Sequence, residues 1–329
     1  MKDAVGKFEI EMLEYAAYMY LRALSFNNIL DILRAWYMKD VLSKRSLITH
    51  IELLADRIPD NSTISQIFKP KRSGYYALDG TWMKYCGKDI VLLIIFDVQT
   101  LDLVGWRVAS FEDEDSYTAL IASVHDEIAA SARGFFCDGD PGLLKAVRAK
   151  FPVTPIQLCI FHKYSRVGQI IPFVHPRTEI DREIKLRTEK VLFASTKQSA
   201  ISALDELMAY AREHDGHKKL KEVIGVLNRN FELLLTHFDN PEMSPYNNVL
   251  EGFNHIVKRK TKLMKGFKKS QNINRWLKLI LTDWRFHILR ESSFKERRGK
   301  SPLQLAGVDL PKVHNWMTFL RTRPERKPY

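Results

Sequence analysis

The sequence predicts an α/β protein built on a five-stranded mixed sheet, with a helical segment in front of the sheet and a helical insertion within it. Three observations predict this. Three β-rich runs lie close together between Gly74 and Phe111. Helical and strand-like runs then alternate as far as Ile160. From Lys163 to about Asn240 the chain is polar and helical, with no strand-like run.

Residues 1–60 read as helices. Ser25 can cap a helix over Phe26–Tyr37. Ser43 can cap a second, in which Leu47, Ile48, Ile51 and Leu54 pack inward while Lys44, Arg45, Thr49 and His50 stay on the polar side. Two short helices joined by a tight turn at Lys39-Asp40, with basic residues early in the second, predict a helix-turn-helix that reads DNA. Structural and dimerising helix pairs share this pattern. Residues 61–73 read as a linker, being rich in Pro, Ser, Asn and basic side chains.

The runs Gly74–Tyr85, Lys88–Gln99 and Leu101–Phe111 are parted only by Gly87-Lys88 and Thr100, so an antiparallel meander is expected. Ser116–Ala130 follows as an amphipathic helix, Arg133–Cys137 as a fourth strand, Pro141–Phe151 as a helix and Pro155–Ile160 as a fifth strand. This places the first part of the sheet domain at 74–162. The segment 163–243 is too long for a loop in a compact domain and reads as an inserted helical subdomain. Residues 244–292 complete the domain with a helix starting near Ser244-Pro245, and 293–329 form a basic tail.

Composition narrows the function classes. No segment approaches the 18 or so uninterrupted apolar residues of a membrane span, and no apolar stretch follows the charges at the N-terminus, so neither a span nor a secretory signal is expected. Cys86, Cys137 and Cys159 have no framework spacing, which suits a reducing cytosol. The net charge is +12, and from Glu251 onward 20 Lys and Arg face 6 Asp and Glu. Lys258, Arg259, Lys260, Lys262, Lys265, Lys268 and Lys269 crowd the start of that stretch. Such a face suits a phosphate backbone, although a solvated Lys-rich helix looks the same.

Three acids stand out. Asp79 ends the first strand in Ala77-Leu78-Asp79-Gly80-Thr81; a turn Asp before Gly has the same look. Asp138 closes the fourth strand. Two residues on, Asp140 precedes Pro141 and suits the N-cap of the next helix, leaving Asp138 free for a site. Glu251 shares a helix face with His255, Lys258 and Lys262, opposite Val249, Leu250, Phe253, Ile256 and Val257; taken alone it reads equally as a surface Glu. Acids delivered from two strand ends and a late helix can hold Mg²⁺ or Mn²⁺, and a pair of such ions supports in-line displacement at phosphorus. Cys159-Ile160-Phe161-His162 is half of a zinc site without a second half, so it is expected to hold the strand end where the insertion departs.

The run Cys137-Asp138-Gly139-Asp140-Pro141-Gly142-Leu143-Leu144-Lys145-Ala146-Val147 resembles the second-aspartate motif of Mutator-like transposases and their insertion-sequence relatives. Phe151 to His162 is similar to that family's C-x-x-H segment, and Asn247 to Asn254 to its Asn-rich catalytic-Glu motif. Gly299-Lys300-Ser301-Pro302-Leu303 is similar to a short ending common in such proteins. The resemblance spans residues 74 to about 308. It implies a ribonuclease-H-like core carrying Asp79, Asp138 and Glu251 as a DDE triad with Mg²⁺ or Mn²⁺ as a two-ion cofactor. It also implies double-stranded DNA, both element ends and target, as substrate, and a homodimer in the synaptic complex. Many relatives carry an N-terminal zinc segment that three cysteines cannot supply, so recognition of the ends is expected from the helix-turn-helix. A ribonuclease-H-like nuclease or resolvase, or a non-catalytic DNA-binding descendant, would share some of these features.

Overall fold

The computed structural model describes residues 4–5, 8–265, 267–268, 272–312 and 314–322. A short antiparallel ladder, β1 (Ala4–Val5) with β2 (Phe8–Glu9), leads into α1 (Ile10–Leu21), α2 (Phe26–Tyr37) and α3 (Lys44–Asp56). Ser25 and Ser43 cap α2 and α3 as expected, accepting from Asn28 N at 3.2 Å and Ser46 N at 3.1 Å. Of the anticipated polar face, Lys44, Arg45 and Thr49 are exposed, while His50 is half-buried, its Nδ1 2.7 Å from the Ser46 carbonyl.

Residues 61–73 are not simply a linker. Asn61–Phe68 forms helix α4, with Ile64 fully buried against the sheet's core. The helical segment is also not a separate body. Tyr20 packs edge-on against Trp276 at 4.9 Å, and Glu52 accepts a 2.8 Å hydrogen bond from the Trp276 indole.

The sheet comprises β3 (Tyr75–Tyr85), β4 (Lys88–Asp97), β5 (Leu103–Ala109), β6 (Gly134–Cys137) and β7 (Ile156–Leu158), in the order β5-β4-β3-β6-β7. The first three strands pair antiparallel as a meander, and β6 and β7 add in parallel. This is the ribonuclease-H-like arrangement. β6 starts one residue later than its sequence pattern suggested, and β7 is shorter because Cys159 already occupies the N-cap position of α7 (Ile160–Ile170).

The continuous apolar run of β4 is explained by helices on both faces. Leu92, Ile94 and Phe96 face one core with α1–α4. Val91, Leu93 and Ile95 face a second core with α5 (Glu114–Ile128), α6 (Pro141–Lys150) and the insertion. The insertion contains α8 (Glu179–Leu192), α9 (Lys197–Glu213), α10 (Lys218–Asn228), α11 (Phe231–Leu234) and α12 (Thr236–Asp239). Polar ties hold it to the core. Buried Gln157 on β7 donates to Leu234 O at 3.0 Å and accepts from His237 N at 2.7 Å, and buried Lys163 donates to Val226 O and Arg229 O at 2.7 Å each.

The chain then returns as α13 (Asn248–Lys262), α14 (Ile273–Phe286), α15 (Pro302–Leu305) and α16 (Trp316–Thr322). A fully buried Arg285–Asp102 pair, with both bonds at 2.8 Å, pins α14 to the sheet. Arg72 joins it at 2.7 Å. Burial alone would raise the Asp102 carboxyl, but these two guanidiniums hold it below the ordinary range. No helix among the described residues is long and apolar enough to cross a membrane. Of the anticipated basic stretches, Lys269 and residues 323–329 lie outside the described residues.

Candidate active site

The strand register places the first two acids. Tyr75, Tyr76 and Ala77 pair in parallel with Gly134, Phe135 and Phe136, and the same offset carried two residues on sets Asp79 beside Asp138. Asp79 does not end its strand. β3 continues to Tyr85 along β4, and what ends near Asp79 is the pairing with β6. That splitting of neighbouring strands leaves a crevice beside Asp79 and Asp138, which are both half-buried. Asp138 accepts from Asp140 N at 2.9 Å. Asp140 itself caps α6, accepting from Leu143 N at 2.9 Å, as its position before Pro141 suggested.

Helix α13 brings the third acid. It starts at Asn248, later than Ser244-Pro245, and buries Leu250, Phe253 and Val257 while leaving His255, Lys258 and Lys262 exposed, as its apolar spacing requires. Phe253 packs on Phe96 at 5.0 Å, which seats the helix on the sheet. One turn after Glu251, buried Asn254 donates from Nδ2 to Asp79 Oδ2 at 2.7 Å. Glu251 stands one turn before Asn254 on the same helix and is half-buried.

Helix α7 closes the other side. Cys159 at its N-cap, His162 and Arg166 fall at spacings of three and four residues, on one face. His162 Nδ1 lies 3.5 Å from Glu251 Oε1, within ion-pair range but without hydrogen-bond geometry, and Arg166 Nη2 lies 3.6 Å from Asp138 Oδ2. Sequence reasoning assigned Cys159 and His162 to holding a strand end. The Cys159 amide does bond the Cys137 carbonyl at the end of β6, at 3.0 Å, and the structure also puts both side chains against Glu251, with donor atoms of all three within 4.8 Å of one another. Among the described residues, these three form a group of side chains that could together hold a metal ion.

Burial and neighbouring charges perturb the titratable groups here. Burial, then the like charge of Asp138, pushes the Asp79 carboxyl up to about 7, although His162 and the Gly80 amide act the other way. The Cys159 sulfur, against the effect of burial, raises His162 to about 9, with Asp79 and Glu251 adding to it. Glu112 is a fourth acid that sequence reasoning missed. It accepts from Trp82 at 3.0 Å and from the Tyr117 hydroxyl at 2.5 Å. A Cβ at position 80 would come within 2.5 Å of its carboxylate and push that side chain aside, so Gly80 permits this close approach. Asn254 and Gly80 both stood in quoted motifs, and the i, i+3 spacing from Glu251 was the only signal for the former.

One further residue departs from expectation. Lys260, counted among the DNA-contacting cations, is buried at 4% exposure, 3.0 Å from Asp283, because it lies on the inward face of α13. Lys258, Arg259, Lys262, Lys265 and Lys268 are exposed.

The profile described as "Transposase, Mutator family" matches residues 90–288, which include Asp138, Cys159, His162 and Glu251. The chain belongs to the Mutator family of transposases. Asp79 precedes the matched region, so its place in the site rests on the strand register. Within the family, the chain is 23% identical over 189 residues to a transposase for insertion sequence element IS905 of Lactococcus lactis, covering 56% of this chain and 45% of that protein. It is 25% identical over 180 residues to a transposase for IS1201 of Lactobacillus helveticus, covering 54% and 46%. It therefore spans about half the length of the curated relatives it matches. Among solved structures, the HTLV-2 integrase catalytic core domain aligns with 39% of this chain and 92% of its own, at 10% identity and a TM-score of 0.21. A simian T-cell lymphotropic virus intasome chain aligns with 65% and 76%, at 13% and 0.24. The fold assignment rests on the strand order and not on these distant likenesses.

Proposed function

We propose that this chain is a DNA transposase that performs metal-dependent strand cleavage and strand transfer, with Asp79, Asp138 and Glu251 as the catalytic acids. The observation that carries this reading is the hydrogen bond from Asn254 to Asp79, which couples the helix of Glu251 to the strand pair presenting Asp79 and Asp138. The site suits a hard divalent cation. Its donors are carboxylates, and Asp79 is held up near neutrality by burial and by the facing Asp138, a repulsion that a cation relieves. Bound Mg²⁺ or Mn²⁺, as one ion or two, would supply activation of a water or 3′-hydroxyl and charge neutralisation at the leaving oxygen.

The chain's own residues do the rest. Asn254 fixes the rotamer of Asp79, Asp140 keeps to its cap so that Asp138 faces the crevice, and Arg166 beside Asp138 offers a cation to a phosphate. The exposed cations of α13 extend that field along the backbone of a duplex. Lys44, Arg45 and Thr49 on α3 are candidates for reading the ends of the element in concert with His50, and two copies of the chain would bring two ends together.

The test is cleavage of DNA bearing the flanking element's ends by the full chain, with Mg²⁺ or Mn²⁺. Asp79→Asn, Asp138→Asn and Glu251→Gln should each abolish strand breaks while binding DNA nearly as well as wild type. A variant that still nicks in Mg²⁺ would show that the three acids are misassigned.

A further inference from the structure

Cys159, His162 and Glu251 carry an inference beyond hard-metal chemistry. Their donor atoms lie within 4.8 Å of one another and comprise one sulfur, one nitrogen and one oxygen. Mg²⁺ does not seek a thiol, whereas zinc-like ions take this mixture, and three protein ligands leave one position open for water. Neither the Cys159 nor the His162 donor is committed elsewhere. The Cys159 side chain makes no capping hydrogen bond to α7, although the residue occupies the N-cap. His162 Nδ1 is buried without a hydrogen bond, 3.5 Å from Glu251 Oε1. The i, i+3 spacing on the first turn of α7 holds sulfur and imidazole on one side, and α13 brings the carboxylate from across the crevice. His162 and Glu251 also line an open cleft beside Ser165 and Phe173, so an ion has a path from solvent.

We propose that Cys159, His162 and Glu251 form a second cation site, selective for thiophilic divalent ions such as Zn²⁺, which competes with the hard-metal site for Glu251. Binding displaces the Cys159 thiol proton to solvent and leaves a thiolate–metal bond, with no change of oxidation state. An ion held there draws Glu251 toward α7 and away from Asp79 and Asp138. Occupancy by the two kinds of metal is then mutually exclusive, and a zinc-like ion acts as a brake. The binding stands by itself; only the brake rests on Glu251 serving the hard-metal site.

The probe is Cd²⁺, titrated into the chelator-treated full chain while the thiolate-to-metal absorption band is followed. One equivalent should bind. Cys86→Ser should keep the band, Cys159→Ser should lose it, and Glu251→Gln should keep it with affinity weakened by roughly 10-fold or more, since even residues that only orient ligands cost that much. Should Cys159→Ser fail to fold by circular dichroism, His162→Ala decides, and it must weaken Cd²⁺ by a similar factor. A wild-type chain without the band, a band that survives Cys159→Ser, or an affinity indifferent to both His162→Ala and Glu251→Gln overturns the site. In the cleavage assay, Zn²⁺ should inhibit the Mg²⁺ reaction and Cys159→Ser should resist that inhibition. A chain that binds Cd²⁺ as described yet never cleaves refutes the transposase reading and leaves this site standing.

Discussion

Replacing Asp79 by Asn should stabilise the metal-free fold, and increasingly so as the pH rises. In the native chain, burial and the neighbouring Asp138 raise this carboxyl from 3.8 to about 7. The folded state therefore holds a proton that the unfolded state releases, and between those two values wild-type stability falls as pH rises. Below about 4 both states are protonated and the penalty vanishes; above about 7 it is complete. At 1.36 kcal/mol per pH unit, the stability gap between Asp79→Asn and wild type should widen by at most about 2.7 kcal/mol from about pH 5 to about pH 8. Asp79 keeps some solvent access, and Asn still accepts from Asn254 but faces the Gly80 amide less well, so a widening of about 1–2 kcal/mol is expected. Urea unfolding in a chelating buffer at the two pH values reads it directly. A gap that stays constant with pH, or a variant less stable than wild type at the higher value, would refute an Asp79 strained by burial and like charge. Added Mg²⁺ should reverse the order by stabilising only the wild type.

Other perturbations test the supporting structure. Asn254→Ala removes the donor to Asp79 and should cost about 1–3 kcal/mol at alkaline pH, raising the Asp79 titration further; an unchanged carboxyl titration by NMR would show that the bond is incidental. Lys260→Met strips one of the two cations from Asp283 and should destabilise the fold by about 3 kcal/mol, whereas Lys258→Gln should stay within about 0.5 kcal/mol; equal urea midpoints would put Lys260 back on the surface. Neutralising Lys258, Arg259, Lys262 and Lys265 should weaken binding to every DNA sequence alike and flatten the log K against log salt slope by about 0.9 per lost phosphate contact. Alanine at Lys44, Arg45 and Thr49 should instead erase the preference for element ends. If sedimentation changes and the preference stays, α3 serves dimerisation.

Much of this chain is written in short-range pattern. The meander, the caps at Ser25, Ser43 and Asp140, and the division of α13 into apolar and charged faces depend on neighbours a few residues apart, so periodicity and cap chemistry determine them locally. The choice of Asp138 over Asp140 as a site acid followed from that same local logic. Tertiary structure decided the rest. Residues 61–68 look like a linker until Ile64 finds the core under β5, and Lys260 looks like its cationic neighbours until Asp283 on α14 meets it from 23 positions away. Asn254 reaches Asp79 across 175 positions, and the small Cys159–His162 motif acquires Glu251 only because α7 and α13 face each other across the split between β3 and β6. Such contacts are set by how whole helices seat on a sheet, where a single apolar anchor such as Phe253 on Phe96 orients a full turn of polar side chains. Hydrophobic burial chooses the seat, and the acids go where the seat carries them.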